Sequence, residues 1–265
     1  MIKPKVLFFI PHPDDLEFGA SLACIEALKA GMDVIEVLMT NGEYGTKHID
    51  FRGDRLRNIR MKELTKSAEM YHKYTNNQLR IIKMGFVDGH LNFNSPTLTK
   101  VIKVLFREKP DIIFAPDPFF PMNFHPDHLN TGRLTFFALK KLNKKNLPKH
   151  VFFYYSFKKN RAIKCAFNNN LIQFLVLSQH RSQIDPVRCK LLYGYRRLVS
   201  LVKVLNYRGC AVKYRELLMD NDLNAQNNVK ILKEKVKYAL YRKWTSGALK
   251  LSSYYFPTPK ELGLI

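Results

Sequence analysis

Near its start the chain reads Val6-Leu-Phe-Phe-Ile-Pro-His-Pro-Asp-Asp-Leu-Glu-Phe-Gly19, a short apolar run followed by a polar cluster. The apolar run is typical of a buried strand in a parallel sheet. We therefore expect His12, Asp14 and Asp15 just past the carboxyl end of a central strand, where open α/β sheets place their ligands. Crowding one imidazole and two carboxylates is costly unless a positive charge lies between them, and a divalent metal is the simplest candidate.

A second polar cluster, His125-Pro-Asp-His128, follows another strand-like run, Asp111-Ile-Ile-Phe-Ala-Pro116. We interpret the two clusters as one hydrolytic zinc site, because catalytic zinc takes three protein ligands and keeps one position for water. The ligands would be His12, Asp15 and His128. The plainer alternative is that each His-Pro-Asp segment is an ordinary turn.

The remaining polar residues of the two clusters suit the chemistry of hydrolysis. Asp14 is then available as a general base. His125 could stabilise an oxyanion or protonate a leaving amine, and Asp127 could fix the tautomer of an imidazole.

The order of apolar and amphipathic runs predicts an α/β fold with a mostly parallel sheet, in a single domain over 1–265. Strands are expected at 6–10, 33–39, 79–84, 111–115, 151–155 and 161–167. Helices are expected at 16–29, 54–74, 96–107, 128–142, 168–183 and 186–207. The last part is predicted to be helical over 221–243 and is rich in aromatic residues over 244–257.

Composition narrows the class of protein. With 46% apolar and 25% charged residues the chain reads as globular. No run approaches the roughly 18 apolar residues of a membrane span. Its four cysteines are widely spaced, which favours a reducing, cytoplasmic location.

Charge is the unusual global feature. The net charge is +22, and between Asp127 and Asp185 there is no acidic residue but eleven Lys or Arg. Such a surface indicates an anionic partner, such as nucleic acid, an anionic bilayer or a phosphorylated substrate. Ordinary solvated helix faces on a basic background are the plain alternative.

The two clusters together, Pro11-His-Pro-Asp-Asp-Leu-Glu17 and His125-Pro-Asp-His128, resemble the signature of the PIG-L/LmbE family of zinc-dependent N-acetylglucosaminyl deacetylases. That family includes deacetylases of GlcNAc-phosphatidylinositol, mycothiol and bacillithiol synthesis. Three further segments resemble family elements: Thr40-Asn-Gly-Glu-Tyr-Gly-Thr46, Arg60-Met-Lys-Glu63 and Ser178-Gln-His-Arg-Ser-Gln183. The resemblance spans roughly residues 5 to 185 and implies a Rossmann-like, three-layer LmbE-like fold.

Carried over by position, the resemblance implies one Zn2+ held by His12, Asp15 and His128, with Fe2+ able to fill the same ligands. It implies Asp14 as base, His125 as acid or oxyanion partner, and Asp127 as the group that orients His125. Sugar contacts are expected from Arg60, Asp88 and Glu43. For these three the plain alternatives are an ion pair of Arg60 with Glu63, a turn residue at 88 and a local cap at 43.

The chain also departs from the family pattern. Asn123 stands where one branch of the family has a mobile tyrosine, and the region 186–265 is divergent, with an expected role in shaping the substrate pocket.

The resulting hypothesis is removal of an N-acetyl group from a GlcNAc-type glycoconjugate, with release of acetate. We expect an anionic or lipid-linked substrate and peripheral contact with the inner membrane surface, because the helix at 186–207 is basic and amphipathic. One alternative is a metal-dependent amidase acting on another small cytosolic substrate. Another is a basic nucleic-acid- or membrane-binding protein with a vestigial site, although the basic residues form no nucleic-acid recognition motif.

Overall fold

The structure is a computed structural model, and it describes residues 3–205 and 211–217. Its strands are β1 (Lys5–Ile10), β2 (Asp33–Thr40), β3 (Leu79–Phe86), β4 (Ile112–Pro116), β5 (His150–Tyr154), β6 (Arg161–Lys164) and β7 (Ala211–Glu216). Its α-helices are α1 (Asp15–Gly19), α2 (Ser21–Lys29), α3 (Asp54–Thr75), α4 (Ser95–Glu108), α5 (Pro126–Lys140), α6 (Asn169–Leu177) and α7 (Pro186–Leu205).

The described strands form one sheet in the order β3-β2-β1-β4-β5-β7-β6. Strands β1 to β5 pair in parallel, and only β7 pairs antiparallel, with β5 and with β6. The chain moves outward from β1 to β3 and then returns to place β4 on the other side of β1. The strand order therefore reverses between β1 and β4, which is where open α/β sheets bind ligands. The predicted α/β fold with a mostly parallel sheet is confirmed.

Two hydrophobic cores lie on opposite faces of the sheet, so the molecule has three layers. Strand β1 is buried on both faces, because Phe8 points into one core and Phe9 into the other. The first core lies beneath α2, α3 and α6, and the second beneath α4 and α5. Burial on both faces explains why β1 reads as an uninterrupted apolar run.

Three predicted elements differ from the structure by a break or by more than two residues. The helix expected at 16–29 is divided at Ala20, and the strand expected at 161–167 ends at Lys164. The helix expected at 168–183 ends at Leu177, because the side chains of Ser178 and Gln179 both donate to the carbonyl of Leu175. The chain then turns instead of continuing the helix.

Strand β7 was absent from the predicted elements. Its Arg215 is buried and pairs with the buried carboxylate of Asp117, with Nε 2.6 Å from Oδ2. The same carboxylate accepts hydrogen bonds from Ser156 Oγ and from the backbone of the loop after β4. Strand β7 therefore stabilises the loop that leads to His125.

No helix in the part of the chain that the structure describes is both long and apolar enough to cross a bilayer. The elements predicted at 221–243 and 244–257 lie outside the described residues. A single domain over the whole chain, with a pocket shaped by 186–265, stays a prediction.

Candidate active site

Two loops at the carboxyl ends of β1 and β4 meet at the point where the strand order reverses. His12 follows β1, and Asp15 begins α1. His125 is the N-cap of α5, and its Nδ1 accepts a hydrogen bond from the amide of Asp127. Pro126 occupies the first position of α5, where a missing N–H costs nothing, so His128 lies in the first turn.

The structure brings the three predicted metal ligands together. His12 Nδ1 lies 3.0 Å and His128 Nε2 lies 3.1 Å from the same oxygen, Asp15 Oδ2. All three side chains are buried, and their donor atoms form a group able to hold a metal ion. Tetrahedral zinc with bonds of about 2.0–2.1 Å separates its ligand atoms by about 3.3 Å. The observed spacing is close to that value.

The other nitrogen of His12 faces two more carboxylates. His12 Nε2 lies 3.1 Å from Asp88 Oδ1 and 3.2 Å from Asp127 Oδ2. A metal-binding histidine usually donates its second ring N–H to a carboxylate, which fixes its tautomer and raises its basicity. A second candidate group, His12, Asp88, His125 and Asp127, shares this histidine. We interpret the carboxylates of this second group as hydrogen-bond partners that orient His12 as a ligand of the first group.

Negative charge dominates the surroundings of His12. Burial alone would lower the pKa of His12, but Asp88, Asp127 and Asp15 outweigh it and raise that pKa well above its usual value. Burial alone would raise the pKa of Asp15, yet His128 and His12 lower it well below its usual value. Three buried carboxylates around one imidazole leave a deficit of positive charge that a divalent cation would relieve.

Asp127 is oriented differently from the expectation. Its carboxylate accepts hydrogen bonds from the amides of Gly89 and Leu91, at 2.7 and 3.1 Å, and faces His12. Its contact with His125 is through the backbone amide. Burial and the neighbouring His12 lower the pKa of His125 to about 4.

Arg60 lies at the site but contacts Asp14, not Glu63. Its guanidinium donates to Asp14 Oδ1 and, at 3.0 Å, to the carbonyl of Gly42. The alternative of an ion pair with Glu63 is wrong, because Glu63 accepts hydrogen bonds from the backbone and side chain of Ser182 at 2.8 and 2.6 Å. Two of the segments that carry the family resemblance thus pack against each other.

Glu43 and Asp88, expected at the sugar, link two loops of the protein. Glu43 Oε2 accepts from the amide of Asp88 at 3.2 Å, and Asp88 Oδ2 accepts from the amide of Tyr44 at 3.1 Å. Both carboxylates are buried, and burial raises the pKa of Glu43. These contacts fix the loops after β2 and β3 beside His12.

Two residues at the site had no role assigned from the sequence. The hydroxyl of Tyr155 lies 3.4 Å from Asp15 Oδ1, and its backbone has a φ of 52°, which is rare outside glycine. Asn123 Oδ1 accepts from the amide of His125 at 3.0 Å, and its amide nitrogen lies 3.3 Å from His128 Nε2. The Asn123–His125 contact is the local turn that an asparagine favours, whereas no local pattern predicts the Tyr155 contact, because it joins residues 140 positions apart.

The chain belongs to the GlcNAc-PI de-N-acetylase (PIG-L) family, whose model matches residues 7–139. The match includes both His-Pro-Asp clusters and the β1–β4 junction described above. The family defines the protein as a hydrolytic enzyme, a deacetylase, with a His/Asp group that could hold a metal.

Two individual relatives are deacetylases, like the family, and a third protein shares the fold. Diacetylchitobiose deacetylase of Thermococcus kodakarensis is 28% identical over 210 residues, which cover 74% of this chain and 76% of that protein. The structure of N,N'-diacetylchitobiose deacetylase from Pyrococcus horikoshii matches with a TM-score of 0.70 and 26% identity, covering 84% of this chain and 87% of that one. The structure of a conserved protein from Thermus thermophilus, TT1542, matches with a TM-score of 0.61 and 25% identity, covering 81% of this chain and 94% of that one.

Proposed function

We propose that this protein is a zinc-dependent hydrolase that removes the N-acetyl group from an N-acetylglucosamine-type glycoconjugate and releases acetate. The observation that carries the proposal is the buried convergence of His12, Asp15 and His128, with Asp14 and His125 at its edge. Family membership supports the amide as the bond that is hydrolysed.

The donor set fits one divalent zinc ion. Two imidazoles and one carboxylate are a ligand set of open catalytic zinc sites, and they leave a coordination position available. When bound, such an ion acts as a Lewis acid that polarises a carbonyl and lowers the pKa of water. Fe2+ would suit the same donors, so the metal itself has to be measured.

Asp14 is positioned to move the proton of the attacking water. Arg60 holds its Oδ1, whereas Oδ2 has no hydrogen-bond partner among the described residues. We assign Asp14 Oδ2 as the base that takes a proton when water adds to the acetyl carbon. When the carbon–nitrogen bond breaks, that proton is available to the leaving amine.

His125 suits an oxyanion donor. Because its Nδ1 accepts from the Asp127 amide, the neutral ring carries its proton on Nε2 and donates from there. A low pKa keeps the ring neutral, which favours hydrogen bonding to the developing negative charge. Asp127 acts in this proposal by orienting His12 and the 89–91 loop.

The substrate has an amino sugar, and diacetylchitobiose is the first candidate because a relative is named for it. The net charge of +22 favours an anionic or lipid-linked aglycone. Arg60, Asp88 and Glu43 remain the residues proposed to border the sugar. A cytoplasmic location belongs to the same proposal.

The test compares two neighbouring aspartates. Asp14→Asn should retain one zinc per chain but lose about 100- to 10,000-fold in acetate release, as expected when a general base is removed. Asp15→Asn should instead lose zinc. Metal content is measured by atomic emission. Acetate release is measured with each member of a panel of diacetylchitobiose, GlcNAc-inositol, GlcNAc-malate and lipid-linked GlcNAc.

Glu69→Gln, an exposed acid on α3, is the matched control and should change neither quantity. Full acetate release by Asp14→Asn would rule out its role as the base. Hydrolysis of other amides without acetate release would favour an amidase of another substrate class.

A further inference from the structure

The outer face of α7 is an apolar stripe that packs on no described element. Six large side chains on it are 43 to 69% exposed: Val187, Leu191, Tyr195, Leu198, Leu201 and Val202. At about 100° per residue these positions fall within an arc of about 120° on the helix surface. Contiguous exposed apolar surface of this kind marks an interaction site on a soluble protein.

The inner face of α7 holds the helix in place without the stripe. Cys189 and Leu192 pack with Leu177 of α6, and the ring of Tyr193 lies 4.8 Å from that of Phe174. Arg196 donates at 3.2 Å to the carbonyl of Phe18 in α1. The stripe is therefore not required for folding of the described domain.

Basic residues flank the stripe on both sides. Lys190 and Arg197 lie along one edge, and Arg188, whose Nε is 3.1 Å from Asp185 Oδ2, lies along the other; all three are exposed. The helix contains no acidic residue from Pro186 to Leu205. An apolar band bordered by Lys and Arg is the arrangement of helices that lie in the interface of anionic bilayers.

We propose that the outer face of α7 docks on an anionic lipid bilayer, with the stripe inserted among the acyl chains. Charge complementarity favours this occupant. In a second copy of the chain the basic edges would face each other and repel. The segment 218–265 has eight basic and four acidic residues, so its charge does not complement the basic edges of the stripe.

Docking would place the candidate active site at a fixed position relative to the bilayer. Through Arg196, α7 contacts α1, the helix that begins with the proposed metal ligand Asp15. The docking surface on α7 does not depend on hydrolysis, so the docking proposal and the deacetylase proposal can be refuted independently.

The experiment is flotation of the full-length protein with vesicles of phosphatidylcholine alone or mixed with phosphatidylglycerol. We expect binding to the anionic vesicles only, weakened by salt. Leu191→Glu should weaken it about tenfold, because burial of one leucine contributes on the order of a tenfold gain in affinity. Lys190→Glu with Arg197→Glu should weaken it as well.

Helix α4 provides matched controls, since Phe106 is 58% exposed there and Lys100 and Lys103 are also exposed. Phe106→Glu and the pair Lys100→Glu with Lys103→Glu should float like the wild type, and circular dichroism verifies that each variant is folded. Asp14→Asn should also float normally, while Leu191→Glu should deacetylate a small soluble substrate at the normal rate.

Three results would overturn the proposal. They are equal binding to both kinds of vesicle, absence of binding, and undiminished binding of Leu191→Glu. Sedimentation equilibrium that reveals a wild-type dimer dissociated by Leu191→Glu would assign the stripe to a second copy instead.

Discussion

At the scale of single residues, the glycines of the loop after β2 make room for Arg60. A Cβ atom at Gly42 or at Gly45 would lie 2.5 Å from Arg60 Nη1, too close for any real contact. Gly42 also has a φ of 68°, a conformation that favours glycine. The glycines at positions 42 and 45 thus have a steric cause: the loop wraps the guanidinium that holds Asp14.

Gly45→Ala tests this arrangement without a change of backbone conformation. The added methyl group should displace Arg60 from Asp14, and kcat should fall about tenfold, on the scale of one hydrogen bond to a charged group. Zinc content should stay the same, because Arg60 contacts no proposed ligand. Gly194→Ala is the control, since a Cβ there meets nothing within 4 Å. An unchanged kcat in Gly45→Ala would contradict the role of Arg60.

At the scale of elements, β2 carries an acid inside an otherwise apolar strand. Glu36 is fully buried, and neither carboxylate oxygen has a hydrogen-bond partner among the described residues. Burial, and then the neighbouring Glu17, Asp15 and Asp14, raise its pKa well above the usual value. The folded protein therefore holds this proton at pH values where the unfolded chain has released it.

Stability should consequently depend on pH in a known direction. Because the folded state binds more protons, the free energy of unfolding should fall as pH rises from about 4.5 towards the raised pKa, by at most about 1.4 kcal/mol per pH unit. Glu36→Gln removes this dependence. In urea unfolding from pH 5 to 9, the free energy of unfolding of the variant should increase relative to that of the wild type as pH rises. A constant difference, or the same slope change in the exposed control Glu69→Gln, would refute the assignment.

At the scale of the whole molecule, the proposed metal joins two parts of the chain. His12 and Asp15 come from the β1 end, and His128 comes from α5, more than a hundred residues later. With the ion removed, three buried carboxylates surround His12, and the charge of one protonated imidazole would balance only one of them. Metal binding should therefore contribute to the stability of the fold as well as to catalysis.

Chelation should lower the melting temperature. Metal present at 100 times its Kd stabilises by about 2.7 kcal/mol, which corresponds to roughly 5–10 °C for a domain of this size. Calorimetry with and without chelator measures the shift, and added zinc should restore it. Asp15→Asn should melt at the same temperature with and without chelator. Identical melting curves of the wild type with and without chelator would contradict the binding of a metal ion at this site.

Much of the fold follows from local patterns. Strands β1 to β5 are apolar runs, and helices α3 and α5 follow amphipathic periodicity, so their positions were predicted to within a few residues. Strand β7 was missed although Val212-Lys-Tyr-Arg215 alternates apolar and basic residues, the period-two pattern of a half-buried strand. Its Arg215 is buried only because Asp117, 98 residues earlier, accepts its charge.

The sequence by itself determined the candidate residues for the chemistry: two His-Pro-Asp clusters, each after an apolar strand, in a chain with an excess of positive charge. Only the tertiary structure decided their partners. Asp127 binds amides 36 and 38 residues away, and Arg60 reaches Asp14 across 46 residues. The physical reason is that apolar periodicity indicates which side chains are buried. The direction of a hydrogen bond depends on which loops the sheet order places side by side.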